Sequence, residues 1–155
     1  MSGVEEVKRF INKYGLDAKI LYFKNTVRTV EEAAKEARVH PEVIVKTLVL
    51  LGDGEPVIAI IPGDKRLDYR KVKAALNVRK VKLADKNTIR KLFNVGIGEM
   101  TPLMERVKYV KCIIDKNVTS KDRVIAGGGS LYTLVDVKVN DLIRILKPII
   151  TDITK

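Results

Sequence analysis

Residues 43–51 (VIVKTLVLL) and 56–61 (PVIAII) form two apolar, β-branched runs separated by Gly52-Asp53-Gly54 and a single acid. No other feature limits the fold so strongly. Short apolar runs without sustained alternation read as strands covered on both faces. A glycine-rich link this short joins two such strands as an antiparallel hairpin. The sheet that contains this hairpin therefore needs packed structure on either side. One residue breaks the pattern. Alternation puts Ile44, Lys46, Leu48 and Leu50 on one face and Val43, Val45, Thr47 and Val49 on the other. A lysine is almost never fully buried without a partner, so Lys46 has three readings. Its stem lies along a sheet edge with the ammonium in water; it pairs with a carboxylate, such as Asp115 at the end of YVKCIID; or it lines a pocket, where the ammonium binds a carbonyl or phosphate oxygen.

The flanking sequence mixes helices with short strands. Apolar residues at 7, 10, 11 and 14 predict an amphipathic helix over 5–14, stopped by Gly15. KILYF (19–23) reads as a strand. Thr29-Val30-Glu31-Glu32 has the form of a capping box and opens a helix through Ala37, which Pro41 keeps from continuing. Asp68 and Asp85 are placed to cap helices over 69–76 and 85–93, with a short strand at 78–83 between them. Strands are expected at 109–114, 123–126 and 131–137, and a last helix from Asn140 to Leu146. Regular βαβ alternation is missing. The order predicts an α/β fold of the α+β type: a mixed, mostly antiparallel sheet or partial barrel with flanking helices, in one domain over 1–155.

Several kinds of chemistry are excluded. A single His40 and a single Cys112 cannot build a site from several His and Cys ligands, so no metal is expected. A Ser-His-Asp triad would need His40, which sits beside Pro41 in a turn. Cys112 has no partner for an internal disulfide and lies in an apolar run, as a buried inert thiol does. No apolar run approaches the roughly 20 residues of a membrane helix, and the first residues lack the order of a secretory signal; the expected location is the cytoplasm. Gly127-Gly128-Gly129 is not followed by the Lys-Ser/Thr of a phosphate loop and reads locally as a tight turn or bulge, open to close approach by a ligand.

The charge is uneven. Residues 64–91 carry eleven Lys/Arg against three Asp, +8 of the chain's formal +11. Such an excess suits a polyanion such as nucleic acid. It equally suits a lysine-rich solvated surface of the kind heat-adapted proteins carry, and the lack of Gln and Trp fits that reading. The loop Gly96-Ile97-Gly98-Glu99-Met100-Thr101-Pro102 has two glycines and a proline to fix an unusual path, and N–H groups left free in such a path bind carbonyl or carboxylate oxygens.

Three segments taken together resemble a known family. TVEEAA (29–34), VIVKTLV (43–49) and GEMTP (98–102), followed by a strand ending in Asp115 and a glycine turn before a late strand, are similar in order and spacing to the YbaK/prolyl-tRNA synthetase-associated domains. The resemblance runs from about residue 17 to about 147. It implies a trans-editing deacylase that hydrolyses the ester of a mischarged tRNA carrying a small amino acid such as alanine, serine or cysteine, without a cofactor. It makes Lys46 the essential residue. It assigns the aminoacyl group to the Gly96–Pro102 loop, with Gly96, Gly98, Glu99, Met100 and Pro102 as candidates, and to Thr29, Thr47 and an orienting Asp115. The acid and the methionine at 99 and 100 depart from the smaller residues of many relatives: Glu99 is free to attract the substrate's amino group or to face water, and Met100 narrows the pocket. The basic segment then has a partner in the tRNA acceptor end, with Arg70, Lys73, Lys86 and Arg90 as contacts. The alternative is a non-catalytic tRNA- or amino-acid-binding module that acts with an aminoacyl-tRNA synthetase.

Overall fold

The hairpin forms the middle of the larger of two sheets. A computed structural model describes residues 2–155, in the order α1 (Gly3–Tyr14), β1 (Ala18–Tyr22), α2 (Val30–Ala37), a 3-10 turn (Pro41–Val43), β2 (Val45–Gly52), β3 (Glu55–Pro62), α3 (Tyr69–Leu76), β4 (Val81–Leu83), α4 (Lys86–Phe93), α5 (Glu105–Lys108), β5 (Lys111–Asp115), β6 (Arg123–Gly127), β7 (Thr133–Lys138), α6 (Val139–Leu146) and β8 (Ile149–Thr151). The larger sheet runs β4-β2-β3-β5-β8 and the smaller β1-β7-β6. Four of the strand pairs are antiparallel; β3–β5 and β5–β8 are parallel. An isolated parallel bridge between Ile44 and Ile125 links the start of β2 to β6. The two sheets meet there without closing a barrel. The mixed, mostly antiparallel expectation holds, with the strands divided between two sheets.

Burial explains why the hairpin sequence is apolar on both faces. Val45, Val49, Ile58 and Ile60 pack into the main core with Val7 and Phe10 of α1 and Leu142 and Ile145 of α6. Leu50, Val57, Ala59 and Ile61 face the other way, onto Val72 and Leu76 of α3. A third cluster seats α2 through Ala33 and Ala34 against Ile44, Ile125 and Leu134. At the hairpin tip Asp53 and Gly54 have φ of 48° and 83°, the left-handed pair a two-residue turn requires. Cys112 is buried in the main core, and burial pushes its thiol pKa up to about 12.

The helix starts follow their caps. Thr29 Oγ1 accepts from Glu32 N at 3.1 Å, and the Glu32 carboxylate accepts in return from Arg28 N at 3.2 Å, one residue before the cap itself. Asp68 and Asp85 cap α3 and α4, each such cap being worth about 1 kcal/mol. One local expectation fails, and two short elements were not expected. The last helix begins at Val139 behind an uncapped Lys138, so Asn140 is not its cap. The four-residue α5 and the three-residue β8 are too short to carry a period that sequence reading can detect.

Candidate active site

The first turn of α2, the beginning of β2, the loop at Gly98–Met100 and the β6–β7 connection enclose a cleft of about 470 Å³. β2 contributes Lys46 and Thr47, α2 contributes Thr29 as its cap and Glu31, and the loop contributes Gly98 and Met100. Its remaining wall is largely apolar, with Val27, Val30, Ala33, Ile44 and Leu134. A cation, a carboxylate, two threonines and small apolar side chains therefore converge on one hollow.

Lys46 is half-buried, and its Nζ donates to the carbonyl oxygen of Lys65 at 2.7 Å. Burial lowers its pKa below the usual lysine value; Glu31 raises it, Arg66 lowers it and Asp64 raises it by smaller amounts. Of the three readings of Lys46, the pairing with Asp115 does not occur. Asp115 is fully buried outside the cleft. Its Oδ1 accepts from Ile153 N at 2.9 Å and from Thr154 Oγ1 at 3.3 Å, and its Oδ2 accepts from Asn117 N and Nδ2 at 3.2 and 2.9 Å. The carboxylate is used up in holding the C-terminal segment. That segment in turn grips the loop that receives Lys46: Asp68 N donates to Ile153 O at 2.8 Å and Lys155 N to Arg66 O at 3.0 Å.

Thr47 Oγ1 is the one buried side-chain oxygen or nitrogen without a hydrogen-bond partner among the described residues. A buried hydroxyl in that state is destabilising unless something binds it, and this one belongs to a residue of the cleft wall.

The loop divides its candidates. Gly98 has a φ of 79°, and a Cβ there would come within 2.7 Å of Arg28 Cβ. Glu99 turns back on its own loop: its Oε1 accepts from Gly96 N at 2.7 Å, and its N donates to Gly96 O at 3.2 Å. It is not among the residues that line the cleft, so of the two sequence readings the one in which it attracts a substrate amino group gains no support from the geometry. Gly96 and Pro102 also lie outside the cleft lining, Pro102 as a buried support beneath the loop. Sequence reading missed Arg28, Glu31, Gly63, Ser130 and Thr133, which carry no local signal of a shared hollow. Gly127 did carry one. Its place in a glycine run allows Met100 to approach, since a Cβ on Gly127 would collide with the Met100 carbonyl oxygen.

A family model described as an aminoacyl-tRNA editing domain matches residues 24–145. The chain belongs to that family. Among curated proteins it is similar to the proline–tRNA ligases of Thermosipho melanesiensis (33% identical over 102 residues, 66% of this chain and 18% of the ligase) and Pseudothermotoga lettingae (30% over 132 residues, 82% and 23%). The chain thus spans about a fifth of the length of the ligases it matches. Among solved structures, a hypothetical protein superposes with a TM-score of 0.88 at 29% identity, covering 97% of this chain and 99% of that one. A protein described as a candidate trans-editing enzyme for prolyl-tRNA synthetase superposes with a TM-score of 0.90 at 21% identity over 100% and 98% of the two chains, a likeness of fold.

In this editing domain the basic segment does not form a single face. Lys86 and Arg90 line a second hollow, of about 650 Å³, which shares Gly98 and Met100 with the cleft. Lys73 lines a different depression with Lys80 and Lys82 beside the hairpin tip, about 20 Å of strand away from Lys46. Arg70 is exposed on α3 and lines neither hollow.

Proposed function

We propose that the protein is a trans-editing aminoacyl-tRNA deacylase whose reactive cleft holds Lys46. The reading is carried by one observation: the half-buried Lys46 shares a partly apolar cleft with Thr47 and the glycine crest of the Gly98–Met100 loop. In the reaction water adds to the ester carbonyl, the C–O bond to the terminal ribose breaks, and the ribose oxygen takes up a proton. The products are a free amino acid and a tRNA with a free hydroxyl. Negative charge builds on the carbonyl oxygen, and a partly desolvated ammonium opposes it more strongly than one in water. His40 is exposed at the start of the 3-10 turn and does not line the cleft, so a hydroxyl of the substrate's own ribose helps to activate the water. The apolar wall suits a small aminoacyl side chain.

The test is deacylation of a panel of tRNAs mischarged with alanine, serine or cysteine, by the wild type and by Lys46→Ala. The wild type releases at least one amino acid, and the substitution lowers kcat by about 100-fold or more. Equal rates for the two proteins remove Lys46 from the reaction. A wild-type protein that binds tRNA and hydrolyses nothing on the panel is a binding module acting with a synthetase.

A further inference from the structure

The cleft is not the only hollow at the Gly98 crest. The second one is built from Lys86, Asn87, Ile89 and Arg90 of α4 and from the loop that follows. Its floor is apolar, with Ile89, Val95 and Met100, and Ile97 stands 67% exposed at its margin. The hollow thus joins an apolar lining to two cations at its rim. Lys86 and Arg90 are four residues apart and so project from one side of α4. Neither has a carboxylate within salt-bridge distance among the described residues. The nearby acid of the loop, Glu99, is turned onto the Gly96 N–H.

The matching ligand has a flat, largely apolar part and an anionic part, which describes a nucleotide. The junction between the hollows favours a strand over a separate molecule. Gly98 and Met100 line both, and Gly98 is exposed, so the divide between them has no side chain at its crest. We propose that this hollow is a second nucleotide subsite, which takes the unpaired nucleotide preceding the aminoacylated one. The inference rests on the deacylase reading above. The aminoacylated nucleoside occupies the Lys46 cleft, the backbone crosses at Gly98, the next base lies on Ile89, Val95 and Ile97, and Lys86 and Arg90 hold the phosphate that joins the two nucleosides. Binding of this kind is sequence-tolerant, because any base offers an apolar face.

The experiment compares two short substrates, 3′-O-alanyl-adenosine and alanyl-CpA, with the amino acid exchanged for serine if the panel favours serine. Adding the nucleotide raises kcat/KM of the wild type about tenfold or more. In Lys86→Glu/Arg90→Glu the gain shrinks to within about twofold, and kcat/KM for alanyl-CpA becomes less sensitive to salt, as screening then has no cation–phosphate attraction to weaken. Thermal melting of the variant confirms that these exposed substitutions leave the fold intact. If the wild type hydrolyses both substrates equally, the subsite is refuted while the deacylase stands. If the gain survives in the variant, the nucleotide lies elsewhere and the subsite is refuted. If neither substrate nor any mischarged tRNA is hydrolysed, the deacylase reading fails and the subsite with it.

Discussion

Replacing Asp115 tests how the loop behind Lys46 is held. In Asp115→Ala two fully buried donors lose their acceptor, the Ile153 N–H and the Thr154 hydroxyl. Each buried donor left unsatisfied costs about 1–3 kcal/mol. The Thr154 hydroxyl can rotate, so the amide dominates and the total is about 3–4 kcal/mol. The two Asn117 donors add little, because Asn117 is half-exposed and water reaches it. For a chain of this size the loss lowers Tm by roughly 10 °C. Asp115→Asn keeps one oxygen for Ile153 and Thr154 and places an amide against the Asn117 donors, so its shift is about half as large. Thermal melts of the three proteins measure the order. Amide exchange separates local from global loosening: the Asp68 N–H, which donates to Ile153 O at 2.8 Å, loses protection in Asp115→Ala by more than the fall in global stability explains. A Tm drop under about 3 °C for Asp115→Ala would refute the reasoning, as it would show that the C-terminal segment holds without the carboxylate.

Three further outcomes follow from the same coordinates. Burial lowers the Lys46 pKa, so its ammonium disfavours the folded state at neutral pH, and that penalty lifts as pH rises through the folded-state pKa toward the ordinary lysine value; 13Cε titration of Lys46 should show a midpoint below the ordinary lysine value, and a midpoint at or above that value contradicts the burial. Gly127→Ala places a Cβ against the Met100 carbonyl, which forces the loop off the cleft; it should cut deacylation at least tenfold while a control Gly54→Ala, at the open hairpin tip, affects stability alone through its positive φ. Cys112, buried and held largely as the thiol up to about pH 12, should resist a thiol reagent at pH 8 in the native protein and react at once in denaturant; labelling of the native protein at the rate of a free thiol would show that the core opens.

The parts of the fold that were legible in the sequence are those whose cause is local. The hairpin follows from two apolar runs and a glycine turn. The starts of α2, α3 and α4 follow from Thr29, Asp68 and Asp85, whose side chains meet amides two or three residues on. Lys46 stood out because a single charge in an apolar strand violates its surroundings. Distance in sequence explains what was hidden. Asp115 meets partners 38 and 39 residues away, and no spacing rule links them. The Lys65 carbonyl that receives Lys46 is a backbone group and leaves no mark on residue type. Glu99 was readable as an acid beside a candidate site, while its bond to Gly96 depends on the path of the loop.

The basic segment shows why a charge count locates a partner poorly. Along the chain residues 64–91 look like one polycationic tract. In space β4 pairs at the hairpin end of β2, with Leu50 opposite Leu83 and Gly52 opposite Val81, which carries Lys80 and Lys82 to the end of the sheet far from Lys46. The chain then turns at Asp85, and α4 brings Lys86 and Arg90 to the Gly98 crest. Screening reduces the field of an exposed charge within about 8–10 Å at physiological salt, so the cations at the hairpin end, some 20 Å of strand away, contribute little to an ester held in the cleft. On the proposed function they would steer a polyanion toward the protein, while Lys86 and Arg90 at the Gly98 crest, and Lys65 and Arg66 beside Lys46, are close enough to position one. The distinction is measurable: charge reversal at Arg70 and Lys73 slows association with tRNA, whereas reversal at Lys86 and Arg90 speeds dissociation. Equal effects of the two pairs on both rates would mean that the tract acts as one diffuse field and that the path of the chain after Asp85 has no part in placing the substrate.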